Sequence, residues 1–170
     1  MEPMLIERYT IEEYQHWEGD WELIAGVPYA MAPAPVGKHQ WIMMRIGAFL
    51  NSALEECEKC FVVGEAEWRI AEDTVVRPDV MVMCGELVNY FSDTPKIIFE
   101  IISPSSKLRD EIMKKELYRH MKVPYYALVY LDEERVLFYR LENGQYKEAE
   151  AKFRICDKDI ELDEDYIFKR

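Results

Sequence analysis

Two carboxylates stand in otherwise apolar surroundings. Asp79 adjoins Val80-Met81-Val82-Met83, and Glu100 interrupts the run Ile97-Ile98-Phe99 and Ile101-Ile102. Burying an unpaired charge costs several kcal/mol, so each acid must meet a cation, a hydrogen-bond donor or a metal. Acids on neighbouring strands can share one hard divalent ion such as Mg²⁺ or Mn²⁺, which takes oxygen ligands and keeps positions for water and phosphate. Two structural salt bridges would satisfy the same residues, and composition alone does not separate the readings.

A lysine bears on the choice, because phosphodiester hydrolysis gains from a cation that orients the attacking water and balances charge on the phosphoryl group. The candidates after Glu100 are Lys107, Lys114 and Lys115. At ~100° per residue, Lys114 shares an arc with Met113, Leu117, Tyr118 and Met121, while Lys115 points away with Arg119. Lys114 is therefore expected to face inward, either at a site or as a snorkelling side chain whose stem covers the core. Ser103, Ser105 and Ser106 lie in no G-x-S-x-G elbow and read as helix caps. Cys57 and Cys60 have C-x-x-C spacing, but with no second ligand pair in view the four cysteines read as ordinary, partly buried thiols.

The elements that must position these groups follow from pattern. Trp21 to Ala25 and Val27 to Met31 predict a hairpin around Ala25-Gly26, with Ala32-Pro33-Ala34-Pro35 as a connecting loop. From Gly37 to Lys59 a helical stripe runs through His39, Ile42, Ile46, Leu50, Leu54 and Cys57. Phe61 to Ile70 and Val75 to Met83 read as strands, with Pro78 at a bend or edge. Lys96 to Ile102 is a strand buried on both faces, Lys107 to Met121 a helix, and Tyr125 to Leu131 the next strand, which makes a β–α–β crossover with parallel strands. A meander around Asn143-Gly144 follows, and residues 151–170 are acidic with little pattern.

Arg77-Pro78-Asp79, the segment Phe99-Glu100-Ile101-Ile102-Ser103-Pro104-Ser105-Ser106, and Lys114 to Tyr118 as Lys-x-Glu-Leu-Tyr together resemble the PD-(D/E)XK nuclease superfamily and, within it, the Uma-type family of putative restriction endonucleases. Trp21 to Gly26, His39-Gln40 and Val123-Pro124-Tyr125-Tyr126 extend the resemblance over residues 9 to 150. It implies an α/β, restriction-endonuclease-like fold with a central mixed sheet flanked by helices. It also implies a divalent-metal-dependent endonuclease acting on DNA. Asp79, Glu100, the Ile101 backbone carbonyl and Glu22 would hold Mg²⁺ or Mn²⁺, Lys114 would position or help deprotonate the attacking water, and His39 would face the cleft. The position two after Glu100, lysine in many superfamily nucleases, is Ile102 here. Ala25 and Val27 replace acids usual in the family.

At 170 residues the chain is the size of one domain, read as 1–170 with a motif-bearing core and an acidic end. The N-terminus lacks a basic, then apolar leader pattern, and no uncharged apolar run approaches the ~18 residues a membrane helix needs, so a cytoplasmic protein without membrane contact is expected. The net charge of −12 opposes attraction to DNA phosphates. It keeps open a nuclease-like scaffold without catalysis, or a phosphoesterase acting on small nucleotides. A homodimer is expected, because cutting two strands needs two sites and a meander with exposed aromatics such as Phe138, Tyr139 and Tyr146 can pair.

Overall fold

The computed structural model describes residues 5–31 and 36–170, so the Ala32-Pro33-Ala34-Pro35 connection lies outside the described residues. A single helical turn, α1 (Ile11–Tyr14), leads into the hairpin of β1 (Trp21–Ile24) and β2 (Val27–Ala30). Ala25 and Gly26 turn it with φ of 49° and 78°. Two successive left-handed residues give the turn whose twist matches paired strands. A side chain at Gly26 would also meet Arg8 Cβ at 2.9 Å.

Helix α2 (Gly37–Ala53) buries the predicted stripe of His39, Ile42, Ile46 and Leu50. It stops short of Lys59, where Glu55, Glu56 and Glu58 would have placed negative charge at the negative end of the helix dipole. The two long strands expected next are four short ones: β3 (Cys60–Gly64), β4 (Trp68–Ala71), β5 (Thr74–Val76) and β6 (Val80–Cys84). The breaks fall at Glu65, which has φ of 50°, and at Pro78, which cannot donate to a ladder. They are tied together by the Glu65 N–H, which donates to the carbonyls of Pro78 and Asp79 at 3.1 and 3.2 Å. At these breaks the chain changes sheets: β4 and β5 join the order β2-β1-β5-β4, whereas β3 and β6 join the larger sheet.

That larger sheet has the order β10-β9-β8-β7-β6-β3 and holds β7 (Ile97–Ile102) at its centre. The crossover is present: β8 (Tyr125–Tyr130) runs parallel to β7, while its other neighbours run antiparallel. The crossover helix differs from the expected regular α-helix. Residues Arg109–Lys114 form a π-helical turn that continues into α3 (Lys115–His120). The wider turn buries Asp110 and Lys114 and leaves Leu108 and Ile112 exposed, which explains two apolar residues off the helical arc.

Period-two alternation divides β7 between two cores. Ile97, Phe99 and Ile101 pack with α2, whereas Ile98 and Ile102 pack with Tyr118 and Tyr126 on the crossover side. Glu100 shares the crossover side. The meander of β9 (Arg135–Glu142) and β10 (Gln145–Glu148) forms around Asn143-Gly144 as expected, but Phe138 is 2% exposed and Tyr139 and Tyr146 pack in the second core. Of the three aromatics expected to be exposed on the meander, Phe138 is buried and Tyr139 and Tyr146 are half-buried.

The C-terminal end, expected to be acidic and without pattern, has six acids against five bases and is regularly folded. Residues 151–170 form β11 (Lys152–Ile155), β12 (Lys158–Glu161) and α4 (Glu164–Phe168), and Phe153, Ile155, Ile160, Leu162 and Ile167 are buried in the core that α2 also lines. Charged residues of both signs, Lys152, Arg154, Lys158, Asp159 and Glu161, occupy the outer positions of this short alternation. The cysteines, expected as separate thiols, converge. Cys57 and Cys156, and likewise Cys60 and Cys84, are in sulfur–sulfur bonding contact, and Cys156 Sγ lies 3.5 Å from Cys60 Sγ. Among the described residues no helix is long and apolar enough to cross a membrane.

Candidate active site

The β6–β7 register pairs Val80 with Phe99, so one step further along the ladder sets Asp79 opposite Glu100. Asp79 falls in the break just before β6, where its side chain replaces regular pairing: Asp79 Oδ2 accepts the Ile101 N–H at 2.6 Å. The Asp79 N–H donates to Glu100 Oε2 at 3.3 Å. The two acids are thus held by each other's strands, which fixes their relative position more firmly than side-chain packing would.

Glu100 is 2% exposed and Lys114 3%. Lys114 Nζ sits 2.9 Å from Glu100 Oε1, 2.7 Å from Glu22 Oε1 and 3.6 Å from Asp110 Oδ1. Tyr118 donates its hydroxyl to Glu100 Oε1 at 2.7 Å. Glu22, carried in by β1, is 1% exposed, and it also accepts the Arg77 N–H at 2.8 Å and approaches Arg109 Nη1 at 3.4 Å. The site therefore draws on four separate parts of the fold.

His39 comes from the first turn of α2, and its Nε2 lies 3.4 Å from Asp79 Oδ1. Burial by itself lowers the imidazole pKa, but Asp79, with help from Glu65 and Asp110, raises it above the ordinary value and favours the charged ring. The other nitrogen, His39 Nδ1, is buried without a hydrogen-bond partner, as is Asp110 Oδ1.

Electrostatics here are set first by burial and then by the crowding of acids. Burial pushes the Glu100 carboxyl well above the usual range; Lys114 opposes the shift, and Asp110, Asp79 and Glu22 add to it. Burial also raises Asp110. Burial tends to discharge Lys114 too, yet Glu100, Glu22 and Asp110 overcome this and hold its pKa well above the ordinary value. Lys114 is consequently a fixed cation. It can orient and donate, but it is a poor base.

Above these groups lies a cleft of about 550 Å³. Lys38, Arg77 and Arg109 contribute positive side chains to its lining, and Met31, Ile102 and Leu131 apolar ones. Ser103 and Ser106 border it but are used locally: Ser103 Oγ accepts the Ser106 N–H at 3.3 Å, and the Ser103 N–H donates to Ser106 Oγ at 3.2 Å. Lys107 is exposed, and Lys115 Nζ lies 3.8 Å from the centroid of the Tyr139 ring. Neither belongs to the cluster.

The donor set fits a hard cation. It offers carboxylate oxygens from Asp79 and Glu100 beside the β7 backbone at Ile101, in a group of acids that Lys114 alone does not neutralise. Glu22 stands in the same cluster, its carboxylate engaged by Lys114, the Arg77 N–H and Arg109, as that of Glu100 is by Lys114, Tyr118 and the Asp79 N–H. Asp110, Tyr118 and Arg109 were missed as site residues. Asp110 lies four residues before Lys114, within the charged run Lys107 to Glu111, and that spacing was the available signal.

Residues 11–158 match the profile of the Uma2 family, described as "Putative restriction endonuclease". No curated protein matches the chain. Among solved structures it is similar to "a putative nuclease belonging to DUF820" from Anabaena variabilis ATCC 29413, with 21% sequence identity over 94% of this chain and 97% of that one and a TM-score of 0.74. That likeness identifies a restriction-endonuclease-like fold: a mixed sheet flanked by helices.

Proposed function

The chain belongs to the Uma2 family, and from that premise we propose that it is a divalent-metal-dependent endonuclease hydrolysing DNA phosphodiester bonds in the cleft where Asp79, Glu100 and Lys114 meet. The observation that carries this reading is the placing of a buried, charged Lys114 within hydrogen-bond distance of Glu100, itself opposite Asp79 across the β6–β7 ladder. Maintaining such a charge in the interior is costly, and a purely structural role would be met as well by apolar packing.

Asp79, Glu100 and the Ile101 carbonyl would hold Mg²⁺ or Mn²⁺, with Glu22 acting through Lys114. When bound, the ion supplies Lewis-acid polarisation of the phosphate and lowers the pKa of water. Lys114 orients the attacking water and offers positive charge to the phosphoryl oxygens, keeping its own proton. His39 steadies the Asp79 carboxylate, and Tyr118 does the same for Glu100. Lys38, Arg77 and Arg109 draw a phosphate backbone to a molecule that otherwise repels it. The reading takes residues 1–170 as one domain, because β11, β12 and α4 share the core of α2.

Nicking of supercoiled plasmid and cutting of linear duplex, each with Mg²⁺ or Mn²⁺, test the proposal. The parent is expected to cleave only with a divalent ion, and Asp79→Asn, with folding verified by circular dichroism, to lose about 10²-fold or more. Cleavage that survives Asp79→Asn, or a parent inert on every DNA form with either ion, would overturn it. The net charge of −12 favours a second reading, a nuclease-like scaffold without catalysis, and inertness combined with metal binding would point there.

A further inference from the structure

At the opposite end of α2 from His39, about 25 Å along a helix of this length, the four cysteines of the chain meet. Cys57 follows the helix, Cys60 opens β3, Cys84 closes β6, and Cys156 occupies the turn between β11 and β12. Among the described residues, three His, Cys, Asp or Glu donor atoms approach within 4.8 Å of one another only here, at Cys57, Cys60 and Cys156. Cys84 is the direct partner of Cys60 in the β3–β6 ladder and touches its sulfur.

We propose that Cys57, Cys60, Cys84 and Cys156 form a tetrathiolate site for a structural zinc ion. Three sulfurs in mutual proximity, with that of Cys84 against Cys60, suit two chemistries: a pair of disulfides or one tetrahedral metal centre. Three observations favour the metal. Cys57 and Cys60 have the two-residue spacing by which one chain segment gives two ligands to one zinc. Cys156 Sγ lies 3.5 Å from Cys60 Sγ, a sulfur outside its own pair, and zinc–sulfur bonds of about 2.3 Å in a tetrahedron separate ligands by roughly 3.8 Å. The Cα atoms of Cys60 and Cys84 are 3.9 Å apart, closer than the span of about 4.4–6.8 Å that disulfides usually bridge.

The turn that carries Cys156 adds a fourth. Cys156 and Asp157 both have positive φ, 53° and 58°, in a two-residue hairpin loop where Asn-Gly is the favoured pair. A cysteine there is conformationally costly, and a ligand bond to the end of α2 and β3 would offset that cost. Zinc takes the reduced cysteines: a thiol reductant supplies two electrons and two protons to each sulfur–sulfur bond and is itself oxidised to a disulfide. Each coordinating thiol gives up a proton as its sulfur binds, and the ion keeps its charge. The effect would be a clamp that fastens the C-terminal hairpin to the edge of the main sheet.

The test uses the full chain, reduced and then dialysed without chelator, and reads zinc content by elemental analysis with thiol titration before and after a chelator. About one zinc per chain is expected, with all four thiols reacting freely only after its removal. Replacing zinc by Co²⁺ should give the visible absorption bands of a tetrahedral thiolate site. Cys156→Ser, in an exposed turn, should abolish that spectrum, while Asp79→Ala should leave it intact and so separate this site from the carboxylate cleft. The inference is overturned if the reduced parent holds neither Zn²⁺ nor Co²⁺, or if its cysteines re-form two disulfides in preference to binding added zinc.

Discussion

At Glu100, burial and neighbouring acids act together against ionisation, and Lys114 opposes them. The sign of the resulting pH dependence follows. A carboxyl whose folded pKa lies above its unfolded value of about 4.3 binds protons more tightly in the native state, so it contributes stability that is present below that pH and is lost as pH rises toward the folded value. Thermal unfolding without Mg²⁺ or Mn²⁺ should therefore show a melting temperature that falls from about pH 5 upward. Glu100→Gln, which keeps an acceptor for Tyr118 and Lys114, should flatten that fall; parallel curves for the two proteins would contradict the assignment. Asp79 and Glu100 were legible in sequence because each is a charge against an apolar background, and Lys114 because it falls on the arc of Met113, Leu117, Tyr118 and Met121. Asp110 was not, since it stands among other charged residues and acquires its place only through the π-helical turn.

Elements were legible where one period held throughout: the hairpin at Ala25-Gly26, the α2 stripe, the all-apolar flanks of β7, and the parallel crossover to β8. They were illegible where the backbone changed course without a change of composition. Nothing in the apolar pattern from Phe61 to Met83 marks the exchange of sheets at Glu65 and Pro78, because both sheets bury apolar side chains. The C-terminal strands were hidden because each is only four residues long and charged at its outer positions, yet Ile160 is 5% exposed. Ile160→Ala should therefore lower unfolding free energy by about 2–5 kcal/mol. Ile112→Ala, at a site 59% exposed in the π-helical turn, should fall within about 0.5 kcal/mol of the parent. Chemical denaturation measures both. Equal effects would mean that the C-terminal hairpin is not part of the core or that the crossover helix is regular.

On the scale of the molecule, a net charge of −12 is at odds with a nucleic-acid substrate, and under the proposed function the cleft is where that conflict would be met. Lys38, Arg77 and Arg109 gather positive charge around a carboxylate group still short of a cation, so metal and phosphate should help each other bind. The whole account rests on Asp79 and Glu100 holding a hard divalent ion. Calorimetric titration of Mn²⁺, an ion poorly matched to thiolates, into the parent, Asp79→Ala and Lys114→Ala, with and without an oligonucleotide, tests that most directly. Binding is predicted in the parent, strengthened by the oligonucleotide, retained in Lys114→Ala and lost in Asp79→Ala. A parent that takes up no Mn²⁺ under either condition, or an Asp79→Ala variant that binds as the parent does, would contradict it.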